Sequence, residues 1–139
     1  MKVLVFGDII IDKYIYGTST RISPEAPVPV VTYTDEKTTM GGAALVFENL
    51  TSLGVDAELY DTLEDHSVKT RIICDGHYIT RIDEDKNADS NAVLQRIKES
   101  DFSVYDIVVL SDYNKGTLDN ARQIIKHINK FNVLVDYSN

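Results

Sequence analysis

Four short apolar segments, each running into or just ahead of an aspartate, decide which folds are open to this chain. The segments cover residues 2–6, 57–59, 106–110 and 133–135, and the aspartates are Asp8, Asp61, Asp112 and Asp136. Short apolar runs bounded by turn residues are typical of buried strands. Helical patterns separate most of these segments. Strands that alternate with helices predict right-handed βαβ units and a parallel sheet, and therefore an α/β fold.

Three helices are predicted between the strands. Gly41-Gly42 opens the first, in which apolar residues from Ala43 to Leu53 recur at helical spacing and Gly54 supplies the stop. Val93, Leu94 and Ile97 mark a short second helix. Thr117 is expected to cap a longer third helix, with apolar residues from Leu118 to Phe131 on one face.

Two segments interrupt this alternation and predict a small antiparallel lid. Residues 23–31 contain three prolines in six positions, which exclude a helix and favour an extended arm that leads into an edge strand. Asp75-Gly76 lies between two strand-like runs, which is a strong hairpin signal. We therefore expect the lid to comprise residues 13–39 and 68–83, standing off the main sheet within a single domain of residues 1–139.

Composition excludes several functional classes. The chain has 139 residues and a formal net charge of −8, which argues against a nucleic-acid or anionic-membrane partner because phosphates attract basic surfaces. No apolar run approaches the roughly 20 residues of a membrane span. Its one cysteine, Cys74, cannot form an internal disulfide. We expect a cytoplasmic protein.

The aspartates at the strand ends are the first candidate site. Ligands of open α/β sheets bind beyond the carboxyl ends of the strands, and carboxylates accept hydrogen bonds from hydroxyl groups. Asp8 and Asp112 are therefore candidate ligand-binding residues for a polyhydroxyl compound. The alternative stays open, because aspartate after a strand is also a favoured turn or cap residue.

Gly41-Gly42 and Lys115 are the second candidate site. Glycines at a helix start let a ligand approach free backbone N–H groups, and a lysine after a strand end can meet a phosphate. A tight turn and a solvated loop lysine are the alternatives. The three histidines have no metal-ligand spacing, so no metal site is expected from the sequence.

Several of these motifs together resemble the PfkB (ribokinase) family of carbohydrate kinases. Residues 7–14 resemble the family's first-strand motif, and residues 20–30, Thr-Arg-Ile-Ser-Pro-Glu-Ala-Pro-Val-Pro-Val, resemble the bacterial heptose-7-phosphate kinase domain. Residues 41–54, 81–83, 111–116 and 133–136 follow in the family's order. The resemblance extends over nearly the whole chain.

The resemblance implies a Rossmann-like core with a β-clasp lid over a sugar site. Members of the family transfer the γ-phosphate of ATP to a sugar hydroxyl with magnesium, and their lids commonly pair between subunits. The last strand, residues 133–135, has no helix to cover one face, and the lid edges present unpaired backbone groups, so we expect a homodimer through the lid strands or the exposed sheet, or a heteromer with a full-length kinase. On the matching positions, Asp12 would hydrogen-bond sugar hydroxyls, Gly41-Gly42 would bring backbone N–H groups to the sugar, and Lys115 would lie near the phosphorylated end of the substrate.

The chain also departs from the family pattern. Leu45 stands where the family has a sugar-contacting asparagine, and Tyr137-Ser138 replaces the Pro-Lys that usually follows the aspartate at position 136. A few tens of residues are missing between Thr62 and Val68, and the Gly-Ala-Gly-Asp motif with its general base is absent. We therefore expect little or no kinase activity from this chain alone.

Three functions remain open at this point. The first is a reduced sugar-kinase homologue that retains a sugar or sugar-phosphate site. The second is a non-catalytic dimerisation or partner-binding module, and the third is one part of a two-chain ATP-dependent kinase. No ATP or magnesium site is expected within these residues.

Overall fold

A computed structural model describes residues 1–61, 65–128 and 132–137. In chain order its strands and helices are β1 (Lys2–Gly7), β2 (Ile9–Thr18), β3 (Thr32–Gly42), α1 (Ala43–Ser52), β4 (Asp56–Tyr60), β5 (Ser67–Cys74), β6 (His77–Glu84), α2 (Ser90–Glu99), β7 (Ile107–Asp112), α3 (Ala121–Ile128) and β8 (Val133–Tyr137). The strands form two four-stranded sheets, which we call the core sheet and the lid sheet.

The core sheet has the strand order β4-β1-β7-β8 and is parallel throughout. Its central strand β1 is buried because side chains cover both of its faces. Val3 and Val5 pack against α1, whereas Leu4 and Phe6 pack against α2 and α3. The predicted parallel α/β sheet is confirmed, and its four carboxyl ends lie at one edge.

The lid sheet has the order β3-β2-β5-β6 and leaves the core sheet at once, because only Asp8 separates β1 from β2. The lid is mixed rather than purely antiparallel, since β2 and β5 run parallel. It also begins at Ile9 rather than at residue 13. The proline-rich arm lies outside the ladders, and the strand after it, β3, is an edge strand as predicted.

Local turn chemistry explains the second hairpin. Asp75 and Gly76 both have positive φ, 50° and 79°, so β5 and β6 are joined by the tight turn that Asp-Gly favours. The second helix also has its expected start, because the Asp89 side chain accepts the backbone N–H groups of Asn91 and Ala92.

The third helix differs from its prediction. Thr117 does not cap it: α3 begins at Ala121, and Thr117 is buried in the turn before it. The Thr117 hydroxyl makes no hydrogen bond to any residue that the structure describes, so it caps no backbone N–H there, and the loop around it is held instead by the N–H of Thr117, which donates to the Asp8 carboxylate. Phe131 lies outside the described residues. None of the helices in the described part of the chain is long and apolar enough to cross a membrane.

Candidate functional site

Asp8 is the joint between the two sheets, and its side chain is almost completely buried at 1% exposure. Its Oδ2 accepts the backbone N–H groups of Tyr113 at 2.8 Å and Lys115 at 3.1 Å, and its Oδ1 accepts that of Thr117 at 3.2 Å. The carboxylate therefore shapes the loop after β7. Both oxygens of Asp8 accept backbone N–H groups of this loop, so Asp8 supports the site and does not face a ligand.

Asp12 and Gly41 form the corner at which the lid leaves the core. They lie on adjacent antiparallel strands, in a register that pairs Ile10 with Gly41 and Asp12 with Thr39. A Cβ on Gly41 would collide with Oδ2 of Asp12. Glycine at position 41 is therefore what allows the carboxylate to lie against the backbone of β3. The family resemblance implies that both residues serve one sugar site, and the structure brings Asp12 and Gly41 together.

Gly42 completes this corner from the helix side. Its φ is 62°, and a Cβ there would collide with the carbonyl oxygen of Asp8, which also accepts the N–H of Ala43 at 2.9 Å. Only glycine combines this left-handed backbone with so close an approach. The start of α1 is thereby fixed beside Asp8, and Leu45 in its first turn remains 46% exposed.

The other strand-end aspartates lie at the same edge of the core sheet but have local partners. Asp61 follows β4 and its Oδ2 is 3.1 Å from Nε2 of His66. Asp112 ends β7 and accepts the N–H of Asn114 at 2.8 Å, whereas Asp136 in β8 accepts the Ser111 hydroxyl at 3.3 Å. Asp112 makes a turn of the kind that aspartate favours, so turn formation explains its position in the chain.

Lys115 reaches from the core loop to the base of the lid. Its Nζ is 2.5 Å from Oδ1 of Asp85, which directly follows β6. The loop around it is shaped by Asn114 and Gly116, which have positive φ of 57° and 90°. Gly116 packs so closely on Ala88 that a Cβ would approach the Ala88 carbonyl oxygen to 2.8 Å. The Lys115 side chain therefore links the loop after β7 to Asp85 at the end of the lid sheet.

Arg71 is the site residue that the sequence did not reveal. Its Nη1 donates to Oδ1 of Asp12 at 2.5 Å, and its guanidinium carbon lies 5.2 Å from the centroid of the Tyr14 ring. The hydrogen bond to Asp12 raises the pKa of Arg71 above its usual range. The pair forms because β2 and β5 lie side by side as parallel strands, and these strands are far apart in the sequence. No local sequence pattern therefore predicts it.

The face of the lid that bears Asp12 carries most of its charges. Opposed residues on neighbouring strands point to the same side of a sheet. One row across the lid therefore contains Thr39, Asp12, Lys69 and Asp83, and the next contains Lys37, Tyr14, Arg71 and Arg81. We call this the Asp12 face. The hydrogen bond from Arg81 lowers the pKa of Asp83, with smaller contributions from Lys69 and Lys115.

The family resemblance implies a nucleotide and magnesium. Within the described ranges, no group of three or more histidine, cysteine or acidic side chains is arranged to hold a metal ion. The sequence contains no Gly-Ala-Gly-Asp segment. No chemical step is therefore derived through ATP or magnesium.

Comparison with curated proteins finds relatives that share a similar stretch of sequence. The Bifunctional protein HldE of Histophilus somni is 36% identical over 163 aligned positions, which cover 96% of this chain and 34% of that protein. HldE of Helicobacter pylori strain J99 is 37% identical over 168 positions, covering 96% and 36%. The chain thus spans about one third of the length of these relatives. No family model matches it.

The same alignment contains a length difference. Since 96% of 139 residues is about 133, the Histophilus somni protein has about 30 residues in its 163 matched positions without a counterpart here. That size agrees with the few tens of residues expected to be missing between Thr62 and Val68.

Solved structures share the fold. A carbohydrate kinase from Agrobacterium tumefaciens matches with a TM-score of 0.53 and 17% identity, over 96% of this chain and 52% of that one. The tetrameric inhibited form of phosphofructokinase-2 from Escherichia coli matches with a TM-score of 0.50 and 14% identity, over 99% and 54%. At these identities the likeness concerns the fold.

Proposed function

The chain is a homologue of the heptose-kinase domain of the HldE proteins, within the PfkB/ribokinase-type carbohydrate kinases, and on this premise we propose that it binds a sugar or sugar phosphate at the Asp12–Gly41 corner. One observation carries the proposal: Oδ2 of Asp12 lies against Gly41, at a position where any side chain would displace it. The residues assigned to binding are Asp12, Gly41, Gly42, Asp112 and Lys115, with Asp8 shaping the loop behind them.

The chemistry of the corner suits a polyhydroxyl ligand. An ionised carboxylate accepts hydrogen bonds from hydroxyl groups, and the absence of a side chain at Gly41 lets this carboxylate lie close to the backbone at the start of α1. The side chain of Asp12 is 19% exposed, so it is partly shielded from water and still reachable. A hydrogen bond in such surroundings is stronger than one made in bulk water.

The cations around the corner favour a phosphorylated sugar over a neutral one. Lys69 follows Asp12 in its row across the lid, and Lys115 contacts Asp85, which directly follows the strand that carries Asp83 of the same row. The whole chain has a charge of −8, so these cations stand out against an acidic surface. They would attract a ligand phosphate, and Lys115 would exchange its contact with Asp85 for one with that phosphate.

We further propose that these 139 residues do not transfer phosphate by themselves. Phosphoryl transfer depends on positioning the γ-phosphate and neutralising its charge. The motif that does this in the family is absent, and Tyr137-Ser138 stands where the family's lysine would follow. A coupled assay with ATP, magnesium and heptose 7-phosphate should give no turnover above background. Turnover at an ordinary enzymatic rate would refute this part of the proposal.

Binding is tested by calorimetric titration of the purified chain with a panel of sugar phosphates, including heptose 7-phosphate and fructose 6-phosphate. We expect saturable heat for at least one ligand and its loss in Asp12→Ala. The matched control is Asp35→Ala, which removes a carboxylate from the far end of β3, where it accepts the N–H of Glu36. Absence of heat for every ligand, or equal losses in the two variants, would contradict the proposal.

A second candidate function is pairing of two lids, and the other face of the lid supports it. We call this the Ile11 face. One of its rows contains Met40, Ile11, Val68 and Glu84, and the next contains Thr38, Lys13, Thr70 and Ile82. Met40 is 39% and Ile82 51% exposed, although both are large apolar residues. Because β3 and β6 are also free sheet edges, a second copy would cover both apolar surface and unpaired backbone.

A further inference from the structure

We propose that Arg71 is the positioning residue of the acceptor corner: it holds one oxygen of Asp12 so that the carboxylate presents only the other oxygen to the ligand. The inference rests on the proposed function, because it assumes that Asp12 receives a hydroxyl of the ligand. It goes beyond that function by stating how Asp12 is oriented and what this orientation selects.

The contacts of Arg71 form a clamp. Nη1 holds Oδ1 of Asp12, and the guanidinium also lies over the Tyr14 ring, which is next but one to Asp12 in β2. Both side chains of the ion pair are more than three-quarters buried. A guanidinium fixed by a carboxylate and an aromatic ring has little rotational freedom left, so it fixes the carboxylate in return.

The second oxygen of Asp12 is placed differently. Oδ2 lies against Gly41, in the space that a side chain would fill, and no group in the described ranges donates a hydrogen bond to it. Arg71 uses one acceptor position of Oδ1 and fixes the plane of the carboxylate, which leaves Oδ2 as the oxygen with no protein donor among these residues and as the expected acceptor of a ligand hydroxyl. The corner therefore recognises a single hydroxyl group with a defined direction.

Arg81 provides a matched control on the same face. It lies directly opposite Arg71 across β5 and β6, and it has its own carboxylate, Asp83, held through two hydrogen bonds of 2.6 and 2.7 Å. Arg81→Met removes the same charge from the neighbouring strand but leaves the Arg71–Asp12 pair intact.

The first test is a double-mutant cycle read by calorimetry with the sugar phosphate that the wild-type chain binds. Arg71→Met should weaken binding about 10- to 100-fold, the range expected when a charge-assisted hydrogen bond is lost, and Arg71→Lys should restore part of it. In the Asp12→Asn background, Arg71→Met should cause no further loss. Arg81→Met should change affinity by less than about threefold.

The outcomes separate the possible roles of Arg71. A loss that persists in the Asp12→Asn background would mean that Arg71 contacts the ligand itself, and would overturn the positioning role. An affinity unchanged by Arg71→Met while Asp12→Asn abolishes binding would overturn the inference and leave the proposed function standing. Binding unaffected by Asp12→Asn would instead overturn the proposed function.

A second test needs no ligand and therefore applies even if none is found. In ¹⁵N spectra of the arginine side chains, the Arg71 guanidinium should give a resolved signal protected from solvent exchange. Asp12→Asn should remove that signal, whereas Asp83→Asn should remove only the signal of Arg81. If the Arg71 signal persisted unchanged in Asp12→Asn, the clamp would not exist in solution and the inference would be wrong.

Discussion

The carboxylate of Asp8 accepts the backbone N–H of Tyr113 at 2.8 Å, although 105 residues separate them in the sequence. The same carboxylate holds the N–H groups of Lys115 and Thr117. The residue that links the core sheet to the lid therefore also fixes the loop that carries Lys115. Lid, core and loop share one buried charge, so the geometry of the candidate site depends on it.

Asp8→Asn should therefore lower stability sharply. The change removes the negative charge and places an NH₂ group among three backbone donors that have no other acceptor there. We expect the free energy of unfolding to fall by about 2–3 kcal/mol in urea titrations, as for other hydrogen bonds to charged groups. Asp112→Asn is the control, because its carboxylate meets a single turn N–H, and it should cost less than about 1 kcal/mol. Equal losses of stability in the two variants would show that the three hydrogen bonds to Asp8 contribute no more than the single one to Asp112.

The role of Asp8 illustrates which parts of the site the sequence could predict. Its place after a buried strand indicated a strand-end carboxylate, and that location is confirmed. Whether the carboxylate faces a ligand or the protein depends on N–H groups more than 100 residues away, and no local pattern records them. The Asp12–Arg71 pair was invisible for the same reason, since it depends on the register of two distant parallel strands.

Gly41→Ala should disturb ligand binding more than folding. The added methyl group would displace Oδ2 of Asp12, while the extended backbone at position 41 accepts alanine readily. We expect the affinity for the sugar phosphate to fall about tenfold, equivalent to about 1.4 kcal/mol, with a melting temperature close to that of the wild type. Thr38→Ala, three positions earlier on the other side of β3, serves as the control. Unchanged affinity in Gly41→Ala would separate Asp12 from the binding site.

Leu45→Asn should strengthen sugar binding. Leu45 is exposed in the first turn of α1, close to the Gly42 corner. The family resemblance implies a sugar-contacting asparagine at this position. An asparagine there would supply both a donor and an acceptor to a hydroxylated ligand. We expect a severalfold lower dissociation constant in calorimetry. A weaker affinity would indicate that the ligand of this chain presents an apolar surface to α1.

Burial of Cys74 predicts low thiol reactivity in the native chain. The side chain is only 3% exposed, and burial, assisted by the neighbouring Asp75, raises the pKa of its thiol. Since the thiolate is the reactive form, iodoacetamide at pH 8 should modify Cys74 slowly in buffer and rapidly in urea. Rapid modification without denaturant would mean that the end of β5 opens frequently.

The same shift fixes the sign of the pH dependence of stability. An acid whose pKa is raised by folding ionises more easily in the unfolded chain, so its contribution is complete below the unfolded thiol pKa of about 8.5. It is then lost as the pH rises toward the folded value. Between pH 7 and pH 10 the wild type should therefore lose more stability than Cys74→Ala. A parallel decline of the two proteins would contradict this assignment.

Lid architecture was the part of the fold that the sequence predicted least completely. The Asp75-Gly76 turn predicted a hairpin and the proline-rich arm predicted an edge strand, and both are present. Local signals, however, cannot specify pairing between strands that are not joined by a turn. The parallel contact of β2 with β5 therefore changed an expected antiparallel sheet into a mixed one, and it also determined which residues share the Asp12 face.

Ile82→Glu should weaken self-association of the chain. Ile82 is half exposed on the Ile11 face of edge strand β6, so pairing of two lids would bury it, and a buried unpaired glutamate is costly. Sedimentation velocity at micromolar concentration should show a dimer for the wild type and a monomer for Ile82→Glu. Val104→Glu, at an even more exposed apolar position outside the lid, should leave the dimer intact. A wild-type chain that sediments as a monomer would refute the pairing of two lids. A dimer broken equally by Val104→Glu would place the association surface outside the lid.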